Sequence, residues 1–487
     1  MTLSIWRFSH LFLASIASLF LIVAAITGFV LSFSPIQNEM SKYHVDKPSE
    51  ISISSIIKLV QENNIEVLEI KIDENEFIQS AVINNEGDYE KFYTDAYTGK
   101  KIGEIIPENY IYTFSRNLHR SLFLKTTGRI LIGIITFILF LIAISGSILI
   151  IKKQLKLKKF FSKIIYDNFY QYWHTVITRY TLLIIIVISL SGTYLSLKRF
   201  EIIPKKETTE FIINNKETVI DGIPFYEFPV FKNNSLSELE SIEFPFTREP
   251  EDYFTLKLKN KELIINQFNG EIISEYDYGI FNDLYNLSYN LHTGKGSVLW
   301  SIILCLASLS ILFFIFSGFK ITFKRIFSKS KNIIPIEESN ILILVGSENG
   351  STMHFAKQFY NELINYKRKV HIEILNNYKS SLKAKKIIIM TSTYGNGEAP
   401  ANASKFIKKF KKRPIKGDFE YSVIGFGSTF YPNFCQYAKD VNKFLNSFPF
   451  AECTTPIHLV NNRSQTEFNE WLDKWKIDNN FKIKKSV

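Results

Sequence analysis

Along the 487 residues, long unbroken apolar runs alternate with sequence of ordinary mixed polarity. Four runs, at about 11–33, 130–151, 176–197 and 298–319, hold roughly 20 residues each, the length of helix that crosses a hydrocarbon core of ~30 Å. The stretches between the first and second runs and between the third and fourth change period. There "YTDAYTGKKIGEI" and "INQFNGEIISEY" each read as strand, glycine-containing turn and strand. From Asn340 onward, short apolar runs such as "NILILVG" and "KKIIIMTS" alternate with amphipathic stretches such as "TMHFAKQFYNELINY". Strands apolar on both faces and separated by helices predict a doubly wound parallel sheet. The fold class expected is a multidomain membrane protein: a four-helix transmembrane bundle, two small α+β external domains between its helices, and a cytoplasmic α/β domain.

Charge sets the expected orientation. "KKQLKLKKFFSK" after the second run and "KITFKRIFSKSK" after the fourth are basic and free of acids, which assigns them to the cytoplasm. Both termini then face the cytoplasm, and 34–129 and 198–297 lie outside, although "RNLHRSLFLKTTGR" ahead of the second run is basic too. The first run exceeds a signal-peptide core and no small-x-small cleavage site follows it, so it is expected to remain as an anchor. The formal charge of +11 reflects this topology and contact with lipid headgroups. No basic stripe accompanies a nucleic-acid-binding fold, so membrane lipid, and no nucleic acid, is the expected partner. Of three cysteines, Cys305 lies in the fourth run and Cys435 and Cys453 in the last third, which leaves no external disulfide within the chain. There is no C-x-x-C-H, so any haem is held by coordination and packing.

The chain repeats itself. His10 precedes Gly28 of Thr27-Gly28 by 28 − 10 = 18 positions, and His174 precedes Gly192 of Ser191-Gly192 by 192 − 174 = 18. His119 stands 27 positions before Gly146 of Ser145-Gly146, and His292 stands 26 before Gly318 of Ser317-Gly318. Two copies of helix, external domain and helix, both starting in the cytoplasm, are parallel repeats about an axis along the membrane normal. His10 and His174 become mates near the cytoplasmic face, and His119 and His292 near the external face. A planar macrocycle on the axis would meet one imidazole from each side, making these four the expected axial ligands of two haem irons. A lone histidine at a membrane face more often rests among headgroups; four at repeat-equivalent helix ends argue for ligation. Gly28, Gly146, Gly192 and Gly318 suit close approach of a macrocycle and, equally, ordinary helix packing. His44, His354, His371 and His458 have no such mates and are assigned surface or core roles.

The segments "LHRSLF", "YWHTVI" and "LHTGKG", the Thr/Ser-Gly pairs and the "D-x-x-TG" element of "DAYTG" resemble the PepSY-associated transmembrane family, over roughly residues 1–325. That family includes inner-membrane reductases of ferric siderophores. The resemblance implies two b-type haems on the four histidines and PepSY-like external domains at 34–118 and 198–290.

In the last third, "SENGS" joins a strand to a helix start, a loop that offers backbone N–H groups and the positive helix end to a phosphate. The loops "TYGNGEAP" and "STFYPNFC" end two further strands and are expected at the same carboxyl edge, where such sheets bind ligands. Tyr394 and Tyr431 would each present a flat face to an isoalloxazine ring. "GSENGS", "TSTYGNGE" and "GFGSTFYPNFCQYA" closely resemble the FMN domain of diflavin reductases and related flavodoxins, over about 340–480. The resemblance implies that Ser347, Glu348, Asn349, Gly350 and Ser351 hold the FMN phosphate and that Tyr394 and Tyr431 flank the flavin. It further implies that Thr393, Gly395, Asn396 and Gly397, with Gly427, Ser428, Asn433, Phe434 and Cys435, line the flavin edge. Diflavin reductases continue into a domain for FAD and a nicotinamide nucleotide; here the sequence reaches Val487 without one, and no G-x-G-x-x-G occurs. A separate cytoplasmic NAD(P)H-linked reductase or ferredoxin-type donor is therefore expected to reduce the FMN.

The expected domains are a first repeat (1–151), a basic loop (152–173), a second repeat (174–320), a basic linker (321–338) and the flavodoxin-like FMN domain (339–487). In line they form an electron conduit in a bacterial inner membrane, from FMN through two haems to a periplasmic acceptor. Flavins take electrons in pairs and release them singly, and haems carry one each. The resemblance makes ferric siderophore iron the leading acceptor, with no catalytic side chain assigned. The alternatives are another periplasmic acceptor, or a non-enzymatic protein whose external domains bind or inhibit a peptidase.

Overall fold

The computed structural model describes residues 3–154, 157–162, 164, 166, 168–202, 223–326, 332–348, 350–379, 384–395 and 397–481. Parts of the expected second external domain (203–222), basic loop and basic linker lie outside them. The first repeat runs α1 (Leu3–Leu31), α2 (Phe33–Glu39), α3 (Ile53–Asn63), β1 (Glu66–Ile72), β2 (Ile78–Ile83), β3 (Tyr89–Thr94), β4 (Lys101–Glu104), α4 (Tyr110–Ser121) and α5 (Lys125–Gln154). The second runs α6 (Phe169–Arg199), α7 (Pro229–Lys232), β5 (Leu239–Glu243), β6 (Tyr253–Leu258), β7 (Lys261–Asn266), β8 (Ile272–Asp277), α8 (Ile280–Thr293) and α9 (Val298–Ile326).

The helices α1, α5, α6 and α9 are 29, 30, 31 and 29 residues long, about 45 Å each and ample for a bilayer. Each buries only 22–28% of its apolar window within the protein. The rest is contiguous apolar surface that water would not tolerate, so this is a membrane protein. The helices outrun their apolar cores at both ends, which brings His10 and His174 inside α1 and α6. His119 and His292 instead sit near the ends of the separate short helices α4 and α8. Those two helices stop at left-handed residues, Leu122 (φ 51) and Gly294 (φ 83), whose N–H groups bond back to Leu118 and Asn290.

The chain forms two compact units. One comprises 14–143 with 181–312. Here the inter-helix segments, expected as two small domains, make one eight-stranded sheet of order β4-β3-β2-β1-β5-β6-β7-β8. The seam is the antiparallel pair β1–β5, with Ile70 opposite Ile242. Alternation explains the join: β6 and β7 bury every second side chain on one face, and that face shares a single core with its counterpart in the first segment. Ile53, Ile56, Ile57 and Val60 of α3 pack there with Ile70, Phe231, Ile242, Phe254 and Leu256. A half sheet alone would leave much of this face wet.

The other unit comprises 1–13, 144–180 and 313–487. Its sheet is built from β9 (Ile341–Gly346), β10 (Val370–Ile374), β11 (Lys386–Ser392), β12 (Phe419–Gly427) and β13 (Ala451–Asn461). The strands pair in the order β10-β9-β11-β12-β13 and all in parallel. Strand β9 is buried at all six positions, as a central strand covered on both faces must be. One face packs on α10 (Ser351–Asn365) and α13 (Gln465–Asp478), the other on α11 (Phe406–Lys412) and α12 (Gln436–Leu445).

Candidate cofactor sites

In all four repeat histidines Nδ1 meets the hydroxyl of a Ser/Thr-Gly pair. His119 Nδ1 lies 3.0 Å from the Ala24 carbonyl and 2.9 Å from Thr27 Oγ1. His292 Nδ1 lies 3.0 Å from the Ile188 carbonyl and 3.2 Å from Ser191 Oγ. A carbonyl oxygen carries no proton, so Nδ1–H is the donor in both. Thr27 and Ser191 spend their own hydroxyl protons on the Val23 and Val187 carbonyls, each at 2.7 Å, which leaves their oxygens to accept. The tautomer is thereby fixed with the lone pair on Nε2, as in metal-ligating histidines. His10 Nδ1 meets Ser145 Oγ at 3.0 Å and His174 Nδ1 meets Ser317 Oγ at 2.8 Å.

Each histidine therefore takes the Ser/Thr-Gly pair of the other long helix in its repeat. The sequence spacing instead pairs each histidine with the Ser/Thr-Gly that follows it, and only the fixed place of each hydroxyl before its glycine signals this contact. The glycines make room for the rings. A Cβ at Gly192 would stand 2.7 Å from His292 Cε1, at Gly146 3.3 Å from His10 Cε1, at Gly28 3.4 Å from His119 Cε1, and at Gly318 4.0 Å from His174 Cε1.

The His119 and His292 ring centroids are 6.1 Å apart with planes inclined at 59°. Two imidazole nitrogens on one metal, at about 2.0 Å each, separate the ring centroids by roughly 6 Å once the ring half-widths are added. Burial, and then His292, pushes His119 down to about 4, and burial lowers His292 too, so both rings are neutral at pH 7, the form that ligates. Among the described residues no group of three or more His, Cys, Asp or Glu is placed to hold a metal ion. Of the other histidines, His44 faces Glu39 and Asp46 at 3.6 and 3.8 Å, His354 lies beside Gln358, His371 bonds the Ile334 carbonyl, and His458 buries Nε2 without a partner.

At the carboxyl edge of the parallel sheet three loops enclose a cleft. Glu348, Ser351, Thr393, Tyr394 and Gly395 line one part, and Gly427, Ser428, Tyr431, Asn433, Phe434 and Cys435 another. Ser347 lies buried beneath the first loop, its N–H donating to Asn402 Oδ1 at 2.8 Å. Gly350 starts α10 at φ 79, a conformation that glycine adopts at little cost. Gly397 is packed against Gln436 and Asn433. Asn349 and Asn396 lie outside the described residues.

Among the described residues, Ser347 Oγ and Thr352 Oγ1 are buried without hydrogen-bond partners at the start of α10. Buried hydroxyls left open beside a helix N-terminus are what a phosphate would satisfy. The tyrosine loop is closed by reciprocal 2.8 Å backbone bonds between Tyr394 and Glu398. Thr393 Oγ1 accepts from the Tyr437 N–H at 3.1 Å, tying that loop to α12. Burial pushes the Cys435 thiol up to about 12, so it lines the cleft as a neutral group. Ser392 and Phe426, inside the quoted motifs, also line the cleft, as do Tyr166, Gln171, Asn462 and Arg463, which no motif marks.

The sequence matches the family described as "PepSY-associated TM region" over residues 8–325 and that described as "Flavodoxin" over 343–475. The sulfite reductase [NADPH] flavoprotein alpha-component of Mannheimia succiniciproducens is 32% identical over 144 residues, 28% of this chain and 23% of that protein. The inducible nitric oxide synthase of Mus musculus is 29% identical over 133 residues, 26% of this chain and 12% of that protein. The chain thus spans less than a quarter of the length of either. A flavodoxin from Streptococcus pneumonia TIGR4 aligns with 25% identity and a TM-score of 0.26, over 29% of this chain and 99% of that one.

Proposed function

The chain belongs to the family of the PepSY-associated TM region and carries a flavodoxin domain, which supports FMN binding and electron transfer; from this premise we propose that it is a flavohaem oxidoreductase of the bacterial inner membrane. In this reading FMN occupies the three-loop cleft, one haem lies between His10 and His174, and another lies between His119 and His292. When bound, FMN would accept electrons in pairs and pass them on singly, and each haem would carry one. The observation that carries the reading is the His119–His292 pair, with rings 6.1 Å apart and both Nδ1 atoms held by backbone carbonyls. His10, His119, His174 and His292 would hold the two haems, which would supply one-electron redox chemistry.

The β1–β5 seam supports the topology. Strands that share a ladder lie on one side of a membrane, so both inter-helix segments do. In this reading the N- and C-termini are cytoplasmic, which the positive-inside rule supports. The donor is a separate NAD(P)H-linked reductase or ferredoxin-type protein. The acceptor is ferric iron in a siderophore, a small periplasmic molecule whose hard oxygen ligands hold the reduced metal less tightly.

The test is an absorption spectrum of the purified full-length protein before and after dithionite, with extracted flavin and haem quantified. One FMN and two haems b per chain are expected. Protein without haem sinks the conduit. Haem and FMN present, but with ferric siderophores left unreduced when other acceptors are reduced, sinks the acceptor alone.

A further inference from the structure

Arg7 belongs to no motif of either cofactor site, yet it touches two of the three cleft loops. Its guanidinium pairs with the Glu348 carboxylate, and its Cζ stands 4.3 Å from the centroid of the Tyr394 ring. The pair is largely out of water, with side chains 19% and 9% exposed. Glu348 is held from the other side by the Ala401 N–H at 2.8 Å. A second side chain of the helical region, Gln171, lines the same cleft. Its backbone N–H donates to Asn168 Oδ1 at 3.0 Å and its side-chain Oε1 accepts from Asn168 Nδ2 at 3.3 Å, fixing the start of α6.

Arg7 and Gln171 are repeat mates: 171 − 7 = 164, and 174 − 10 = 164 for the inner histidines. Each stands three residues before its histidine, on the same helix face. Both repeats thus bring to the cleft a residue one helical turn from an inner histidine, Arg7 in contact with two of its loops and Gln171 along its lining.

We propose that the flavin site is composite: Arg7 is a positioning residue that seats the phosphate and tyrosine loops on the start of α1 beside His10, and Gln171, held by Asn168 at the start of α6, completes the cleft wall beside His174. This rests on the flavin and haem reading above. Arg7 suits the task because a planar cation both pairs with a carboxylate and stacks on an aromatic ring. Lysine retains the first contact and loses most of the second. Removing the cation leaves the buried Glu348 carboxyl without its ion-pair partner, so the two loops loosen together.

The test uses the full-length protein in detergent, freed of FMN and titrated with FMN by flavin fluorescence quenching. Hydrogen exchange is followed over 347–351, 393–398 and 428–435. Arg7→Ala is expected to weaken FMN binding about tenfold and to speed exchange in the first two loops but not in the third, which Arg7 does not touch. Arg7→Lys should recover part of the affinity. In Glu348→Gln protein, Arg7→Ala should cost less than it does in the parent, because the carboxylate is gone. Gln171→Ala gives an independent reading of the α6 side, with a smaller loss of affinity expected. Equal affinity and unchanged exchange in both Arg7→Ala and Gln171→Ala overturn the composite site while the function stands. A parent protein that binds no FMN overturns the function itself.

Discussion

The imidazoles of His119 and His292 face each other at 6.1 Å although 173 positions separate them, 292 − 119. Each is aimed by a carbonyl and a hydroxyl of a helix from its own repeat, so the pair is organised before any metal arrives. Replacing either with Ala is expected to lower haem content from two to one per chain, read by a pyridine haemochrome assay. Thr27→Val should keep the haem and weaken its binding only about tenfold, at the low end for such supports, because the Ala24 carbonyl still holds Nδ1. An unchanged haem count in both histidine variants would show that the ring pair binds none.

The four glycines offer a graded test. Gly192→Ala drives a methyl to 2.7 Å from His292 Cε1 and 2.9 Å from Thr136 Cγ2, so the ring must move and the haem of that pair should be lost. Gly318→Ala meets His174 only at 4.0 Å and should retain both haems. Gly28→Ala and Gly146→Ala, at 3.4 and 3.3 Å, should fall between. Equal haem content across the series would leave helix packing as the reason for these residues.

Ser347 and Thr352 bury hydroxyls that have no partner among the described residues. If those atoms meet a phosphate, Ser347→Ala and Thr352→Val should each weaken FMN about tenfold, the scale of a hydrogen bond to a charged group. Riboflavin, which has no phosphate, should bind parent and variants alike. Parallel losses for both ligands would move these residues from phosphate binding to loop structure.

Cys435 gives an alkaline signature. Its thiol is raised by burial from 9.0 to about 12, so above pH 9 the unfolded chain releases a proton that the folded chain keeps. Stability is unaffected by this group below pH 9 and falls by about 1.4 kcal/mol per pH unit from there toward 12. Cys435→Ala should flatten that fall, measured as the slope of melting temperature between pH 9 and 10.5. An identical slope in the variant would show that the thiol ionises freely in the folded protein.

Ile70 and Ile242 oppose each other at the seam of the eight-stranded sheet, and both are fully buried. Ile70→Ala should cost about 2–5 kcal/mol. The loss should be felt as much in β5–β8 as in β1–β4, as faster hydrogen exchange in both halves. Loosening confined to β1–β4 would mean that the halves fold independently.

Much of this architecture is legible locally. The apolar runs give α1, α5, α6 and α9, and the all-apolar "NILILVG" gives a central parallel strand whose loops converge at one edge. What escapes is whatever depends on distant pairing. His10 and Gly28 share a helix in the sequence pattern, yet 18 residues amount to about five turns, so they cannot touch; the contact is with Ser145-Gly146. The seam between β1 and β5 leaves no local mark, because alternation fixes which face of a strand is buried and says nothing of its neighbour. Arg7 reads as one more basic residue at a membrane boundary until Glu348 and Tyr394 are seen beside it.

The seam also fixes an order of events during synthesis. Ile70 emerges 242 − 70 = 172 residues before the partner it must meet, and α5 and α6 must both enter the membrane in between. Until then β1 offers an unpaired edge and half a core to its surroundings, the state most exposed to wrong partners. Closure across so long a loop is slow. The interval between insertion of α6 and docking of β5 is therefore when the nascent chain has most need of a chaperone on that side of the membrane.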